Sequence, residues 1–350
     1  MQLENYVDLY EPQKMMEALK QIHAPKTFLF DTFFRRKVLH TTKEVQFDIV
    51  KKKRRTAAYV NPLHDGVVVE RTGYSTESTK PAYVKEMIPL RAADTQIRLP
   101  AETPYTPSTP RERMATILGE DLLELKTRFI RLKEKMCAEA LWNGKVIVKG
   151  KGWDAQVDFR YEDGVNKIVL SGTSAWNDVD HSDPMRDLDR WRKMIVKRSG
   201  IQPTHCIISS DAAWAIIDNA KAKSRLDNRS IEMGKIDPKS LAEGISYYGR
   251  LVLPSGIVEL FSYDESYTDP ETGEEIDLVP PGKVLLGSEN ASCAFHYGLI
   301  QNLQFLDAAD EFASSWMKPD GSARFTQLEM APMPNLYQTD AFLVADVMEV

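Results

Sequence analysis

Cysteine is scarce in this chain of 350 residues. Cys137, Cys206 and Cys293 stand far apart, with no CxxC pair among them. An odd, dispersed set argues against a disulfide framework or a thiolate zinc site, and suits a reducing compartment. Histidine is thin as well. His23, His40, His64, His181, His205 and His296 never fall in the HxH, HxxxH or HExxH spacings that bring two imidazoles to one metal. His205 lies in an apolar stretch and reads as a core residue rather than a ligand. There is no GxSxG nucleophile elbow. No apolar run approaches membrane-spanning length, so no membrane partner is expected. Met1 to Tyr10 carries Glu4 and Asp8 and has no apolar core of the kind a secretory leader needs. Positive charge is not in excess: 45 Lys and Arg face 51 Asp and Glu, a formal charge of -6. A dedicated nucleic-acid binder usually shows its basic face in the total.

Near-matches to functional motifs fail on inspection. Gly144 to Lys151 (GKVIVKGK) resembles a phosphate-binding loop, but has five intervening residues instead of four and no Ser or Thr after the lysine. It reads as a strand. Asp269 to Asp277 lacks the alternating ligands of a calcium loop, and Thr268 to Ile276 reads as a hairpin loop. The paired carboxylates Glu274 and Glu275 sit in that polar stretch, with no sign of the burial that tunes an acid for catalysis. The sequence therefore offers no catalytic residue, no cofactor site and no metal site. The strongest charge run is Lys51, Lys52, Lys53, Arg54 and Arg55. It suits phosphates, an acidic patch on a neighbouring subunit, or a solvated strand edge that lysines protect from pairing.

What the chain does have is length and a long polar stretch. At 350 residues it exceeds what one hydrophobic core usually supports, so two interleaved domains are expected. Between Asn61 and Thr109 run Pro62, Pro81, Pro89, Pro100, Pro104 and Pro107. Proline removes a donor and restricts its predecessor, so much of this segment must be extended. Such a stretch is uncommon inside a compact domain, and predicts an arm that reaches another subunit. Gly73 to Lys85 reads as the tip or shank of a two-stranded β-arm. A long helix follows. Thr109 caps it, Pro110 opens it, Glu112 completes a capping box and Gly144 stops it. Leu118, Leu122, Leu125, Phe129, Leu132 and Met136 form one apolar stripe.

Other elements follow from periodicity. A short helix begins after Pro12, with Met15, Leu19 and Ile22 on one face. The phenylalanines from Phe28 to Phe34 are an arm anchor or ordinary core. Val45 to Val50 alternates as a half-buried strand, and Val67 to Glu70 is another candidate. Strands at Lys145–Lys149 and Gln156–Tyr161 lead through the Asp163-Gly164 turn to Lys167–Leu170, a predicted hairpin. The helix after Asp183, the strand His205–Ser209 and the helix after Ser210 mark an α/β unit. Strands Leu251–Leu253, Val258–Ser262 and Lys283–Gly287 extend it. Arg324–Glu329 and Phe342–Val347 are predicted terminal strands.

Taken in order, several segments resemble the lambda-like major capsid protein E family of tailed bacteriophages. They are Tyr59–Gly66 (YVNPLHDG), Gly73–Lys85, Gly144–Phe159, Ser171–Pro184, Asp211–Arg229, Val279–Ser288, Tyr297–Gln301 and Phe325–Pro332. Each is modest alone, and their shared order carries the likeness. The resemblance implies an α+β chain with the Hong Kong 97-like capsid fold. It would have an N-terminal arm, an extended E-loop, a peripheral domain with a long spine helix, and an α/β axial domain. The expected segments are 1–42 for the arm, 43–60 for a peripheral strand and 61–108 for the E-loop. Residues 109–182 would be the peripheral domain with spine 110–143 and a β-hairpin, 183–303 the axial domain, and 304–350 a return to the peripheral domain with C-terminal strands.

The same resemblance implies a self-assembling subunit, not an enzyme. Hexamers and pentamers would build an icosahedral procapsid in the host bacterial cytoplasm, with scaffold, portal and decoration proteins as partners. The shell would expand as it encloses double-stranded DNA, and the protein would end in the virion shell. Nothing in the chain marks a Lys–Asn pair for covalent crosslinking. Tyr74, Lys80, Tyr83 and Lys85 of the arm, with Phe33 and Phe34, are the expected subunit-interface residues. Two readings compete: a cytosolic α/β enzyme with a pocket near Ser209, and a DNA-binding protein using Lys51 to Arg55.

Overall fold

The computed structural model describes residues 10–22, 25–50, 56–57, 59–60, 65, 74–100, 102, 108–150, 153–223, 244–270, 272–305 and 307–349. Its first elements are α1 (Pro12–Gln21), α2 (Leu29–Phe33), β1 (Lys37–Leu39), β2 (Val45–Val50), β3 (Tyr74–Thr79), β4 (Val84–Arg91) and α3 (Pro110–Asn143). Next come β5 (Lys145–Gly150), β6 (Trp153–Asp158), β7 (Lys167–Val169), α4 (Pro184–Ser199), β8 (His205–Ile208), α5 (Ser210–Asp218) and α6 (Ala220–Lys223). The later strands are β9 (Ile245–Leu253), β10 (Gly256–Tyr263), β11 (Ser266–Thr268), β12 (Glu275–Asp277), β13 (Lys283–Gly287), β14 (Cys293–Tyr297), β15 (Phe312–Met317), β16 (Ala323–Met330), β17 (Pro332–Leu336) and β18 (Leu343–Asp346).

The long helix α3 starts and stops where the sequence predicts. Thr109 and Glu112 cap each other reciprocally, with Thr109 N–H donating to Glu112 Oε2 at 2.7 Å and Glu112 N–H to Thr109 Oγ1 at 3.3 Å. Gly144 ends it at φ +67°, and a Cβ there would lie 2.3 Å from the Tyr161 ring. Both conformation and space therefore demand glycine. The 34 residues form a rod about 50 Å long. Over its first half only the stripe Leu118, Leu122, Leu125 and Phe129 is buried. From Ile130 onward burial extends to most sides, taking in Lys133, Glu134, Cys137, Leu141 and Trp142. One end of the rod is embedded, while the other rests on the body along one face.

A six-stranded mixed sheet in the order β7-β18-β13-β8-β10-β9 is the wall between two cores. Alternation sends neighbouring residues to opposite faces. Cys206, Ile208, Leu260, Val284, Leu286, Leu343 and Ala345 meet α4 and α5 residues such as Leu188, Trp191 and Ile216. Ile207, Phe261, Leu285 and Val344 face the other core, with Phe28, Phe33, Phe129 and Trp142. Two three-stranded sheets, β1-β14-β17 and β15-β16-β4, and three two-stranded ribbons, β2-β3, β5-β6 and β11-β12, complete the pairing among the described residues.

Residues 10–39 pack onto the body: α1, α2 and their flanks bury Met15, Leu19, Phe28, Leu29, Phe33 and Phe34 in the main core, and β1 pairs in parallel with β14. Three expectations need correction. Strand β2, expected in the peripheral body, pairs with β3 instead, while β4, expected in the E-loop, joins the body by pairing with β16. The Asp163-Gly164 turn forms, with Gly164 N–H donating to Lys167 O at 2.7 Å, but it closes no hairpin. β6 pairs with β5, and β7 runs parallel to β18. Finally, the chain after Leu303 does not all leave the α/β unit, because β18 enters the six-stranded sheet between β7 and β13. Conversely β14, inside the expected axial range, lies in a different sheet with β1 and β17. Strand partners far apart in sequence leave no local pattern.

Candidate assembly surfaces

Phe33 and Phe34 offer no free surface in the subunit. Phe33 is held edge-on to Phe342 with ring centroids 5.6 Å apart, and Phe34 to Phe295 at 6.4 Å. The arm residues are placed differently. Tyr74 pairs through its backbone with Val50 at the far end of the β2–β3 ribbon. Lys80 is exposed, 3.6 Å from Glu44. Tyr83 and Lys85 converge on one buried carboxylate, Glu329 of β16. The Tyr83 hydroxyl donates to Glu329 Oε2 and accepts from Gln301 N–H at 3.1 Å. Asn302 Nδ2 donates to Glu329 Oε1 at 2.7 Å, Gln327 Nε2 donates to the same oxygen, and Lys85 Nζ stands 3.7 Å away. Burial, then the Glu329 hydrogen bond and charge, push the Tyr83 hydroxyl's pKa well up. This node ties the arm's root to the body. The basic run Lys51 to Arg55 and the expected strand Val67 to Glu70 lie outside the described residues.

The N-terminal segment is clamped to α3 by polar side chains that sequence reasoning missed. Glu134, fully inside the protein, accepts N–H groups from Phe28, Leu29 and Phe30 at 2.9, 2.7 and 3.0 Å. Burial raises its pKa against the opposing pull of those amides. Lys133 Nζ lies 2.7 Å from Glu311 Oε1. Lys126 donates to the backbone oxygens of Leu19 and Ile22 at the end of α1. The signal that could have revealed Glu134 is its place among Ile130, Cys137, Ala138 and Leu141, at i−4, i+3, i+4 and i+7 on the face opposite the main stripe, since buried charges are paired or hydrogen-bonded.

The competing enzymatic site does not form. The Ser209 hydroxyl accepts N–H groups from Ala212 at 3.3 Å and Gly282 at 3.0 Å, so it is a helix cap and turn anchor. The His205 ring lies parallel to Phe261, centroids 5.3 Å apart, and burial lowers its pKa. Among the described residues no three His, Cys, Asp or Glu side chains group as metal ligands, and no helix is long and apolar enough to cross a membrane.

Part of the exposed apolar surface lies on the β15-β16-β4 sheet. Trp316 and Phe325 stack across β15 and β16 with centroids 5.5 Å apart. Pro89 of β4 stands opposite Phe325, and Met87 and Met317 are about half exposed. Large exposed apolar surface marks contact sites.

Comparison with known proteins agrees with this geometry. The family model for "Phage major capsid protein E" matches residues 11–347. The major capsid protein of Enterobacteria phage P21 and the P21 prophage-derived major head protein of Escherichia coli O6:H1 (strain CFT073) are each 27% identical over 353 aligned positions. The alignments span 97% of this chain and 99% of each relative. Among solved structures, the putative capsid protein of an E. coli CFT073 prophage is similar with a TM-score of 0.70 at 18% identity, covering 96% of this chain and 98% of that one. The capsid of Ralstonia phage GP4 is similar with a TM-score of 0.53 at 11% identity, covering 89% and 87%. The fold is that of Hong Kong 97-like capsid subunits. The chain belongs to the Phage major capsid protein E family, a structural component of a tailed-phage head shell and not an enzyme.

Proposed function

We propose that copies of this subunit meet as hexamers and pentamers and close an icosahedral shell around double-stranded DNA, with the β2–β3 ribbon reaching onto a neighbour. Scaffold, portal and decoration proteins are the partners of that assembly, and the shell expands during packaging. The observation that supports the reading is the ribbon itself. β2 and β3 pair with each other and with no third strand among the described residues. A lone two-stranded ribbon is marginal in water, and its unpaired edges invite another chain. Such a ribbon persists when a neighbour completes it. The Glu329 node fixes its departure from the body, so that rigid domains and compliant arms can serve both five-fold and six-fold rings. Within this scheme 110–143 is the spine helix, and the six-stranded sheet with α4 and α5 forms the axial domain. Tyr74 and Lys80 are the ribbon's candidate contacts.

The test is negative-stain electron microscopy and sedimentation of the purified protein. Rings, tubes or shells are expected. A strictly monomeric species at high concentration, with no particles, would sink the proposal.

A further inference from the structure

At the root of the ribbon three side chains form a chain of hydrogen bonds. His40 Nε2 lies 2.7 Å from His296 Nδ1, and His296 Nε2 lies 2.8 Å from the Tyr337 hydroxyl. The two imidazole planes differ by only 14° with centroids 4.9 Å apart, so the rings meet edge to edge in one plane. His296 is buried on β14, the middle strand of its three-stranded sheet. His40 directly follows β1, the three-residue edge strand of that sheet, and precedes β2 by only four residues. Its own N–H donates to Tyr297 O at 2.9 Å. So short an edge strand has few ladder bonds, and the ring contacts add to its attachment.

The contact holds one proton between Nε2 of His40 and Nδ1 of His296. A further proton on the outer nitrogen of His40 leaves it intact, since an imidazolium can still donate to a neutral ring. A second further proton, on His296 Nδ1, sets two donors against each other and two like charges side by side. His296 is fixed in the core, so His40 must move. We propose that His40, His296 and Tyr337 form an acid-released latch that holds β1 and the ribbon root on β14 and lets them go when both imidazoles are charged.

The surroundings favour the neutral, closed form. Burial, then the charges of His40 and Arg36, lower the His296 pKa to about 4, and burial lowers that of His40. Lys43, Glu44 and Lys80 line the groove beside His40, with Glu44 engaged by Lys80 at 3.6 Å. On β1 itself Lys37 pairs with Asp310 at 2.9 Å. A folded-state pKa depressed below the ordinary histidine value of 6.5 means the unfolded chain takes the proton first. The latch's contribution is thus complete above about pH 6.5 and is lost as pH falls toward about 4. The consequence for a shell rests on the ribbon reading above, whereas the latch itself is testable in the unassembled subunit.

The experiment is hydrogen exchange of the unassembled protein at about pH 7 and pH 4, corrected for intrinsic rate, with α3 as internal reference. Protection of residues 37–46 is expected to fall about tenfold or more relative to α3 at the lower pH. His40→Gln keeps a donor toward His296 but adds no charge of its own, and should remove most of that fall. Tyr337→Phe, which spares the imidazole pair, should retain it. Equal protection at both pH values overturns the proposal, as does an equal fall in wild type and H40Q, or a uniform loss that includes α3. The readout needs no shell, so its failure would leave the capsid reading untouched.

Discussion

Three backbone amides of the N-terminal segment end on one side chain, Glu134. Glu134→Ala would remove the acceptor of all three, two of them buried and that of Phe30 partly so. An unsatisfied buried donor costs about 1–3 kcal/mol, and part of the loss is offset by no longer burying a charge. A net destabilisation of about 3 kcal/mol is expected, read as a lower urea midpoint. Glu134→Gln, which keeps a carbonyl acceptor, should lose less. Asp121 on α3 gives the opposite sign. Burial, then Glu124, Glu120 and Asp94, raise its carboxyl to about 6, above the ordinary 3.8. A raised carboxyl pKa penalises the folded state above about pH 6, and the penalty is relieved as pH falls toward about 4. Asp121→Asn should therefore stabilise the subunit at neutral pH, by about 1 kcal/mol after allowing for solvent screening. The gain should shrink toward about pH 4 in thermal melts. The amides that Glu134 binds lie more than a hundred positions away, so its partners were not legible in the sequence. Tyr83 misled for the same reason. It stands in a polar stretch, and its partner Glu329 lies 246 positions away.

Elements with local signals were legible, and elements defined by distant pairing were not. The cap, stripe and stop of α3 lie within one segment, and all three form as predicted. Strands β4 and β17 were not among the expected strands, and both carry proline: Pro89 in β4, Pro332 and Pro334 in β17. In the structure both strands are edges, β4 of β15-β16-β4 and β17 of β1-β14-β17. Edge strands tolerate a residue that cannot donate to the ladder. The unpredicted β14 is buried along its whole length, so it shows none of the alternation that reveals a half-buried strand. The ends of α3 can be tested separately. Thr109→Ala should cost about 1 kcal/mol through loss of the cap. Gly144→Ala should cost more, about 2 kcal/mol or above, because it adds a Cβ clash to a left-handed backbone. Denaturant melts of both variants check the order, and a Gly144→Ala protein as stable as wild type would remove the steric account of this stop.

At the scale of the whole molecule, the subunit divides its stability from its assembly. The body is held by two cores on either side of one sheet. The ribbon meets the body at Val45, which is fully buried, and around Tyr83. Replacing residues 51–73, which lie between β2 and β3 in the sequence, with a short Gly-Ser turn should leave the thermal midpoint within a few degrees, since every described core residue is retained. Assembly should respond differently. If the far part of the arm secures a neighbour, the shortened protein should sediment as monomers or isolated rings where wild type forms shells. A second variant, with Lys51 to Arg55 changed to Gln at full arm length, separates charge from reach. Loss of shells in both variants assigns the contact to the basic run and an acidic surface opposite it, and that contact should weaken with salt. Loss only in the shortened protein assigns it to length and backbone pairing, which salt affects little. Closed shells in normal yield from the shortened protein would remove the arm beyond β2 and β3 from assembly and leave the exposed strip at Trp316 and Phe325 as the next contact to test.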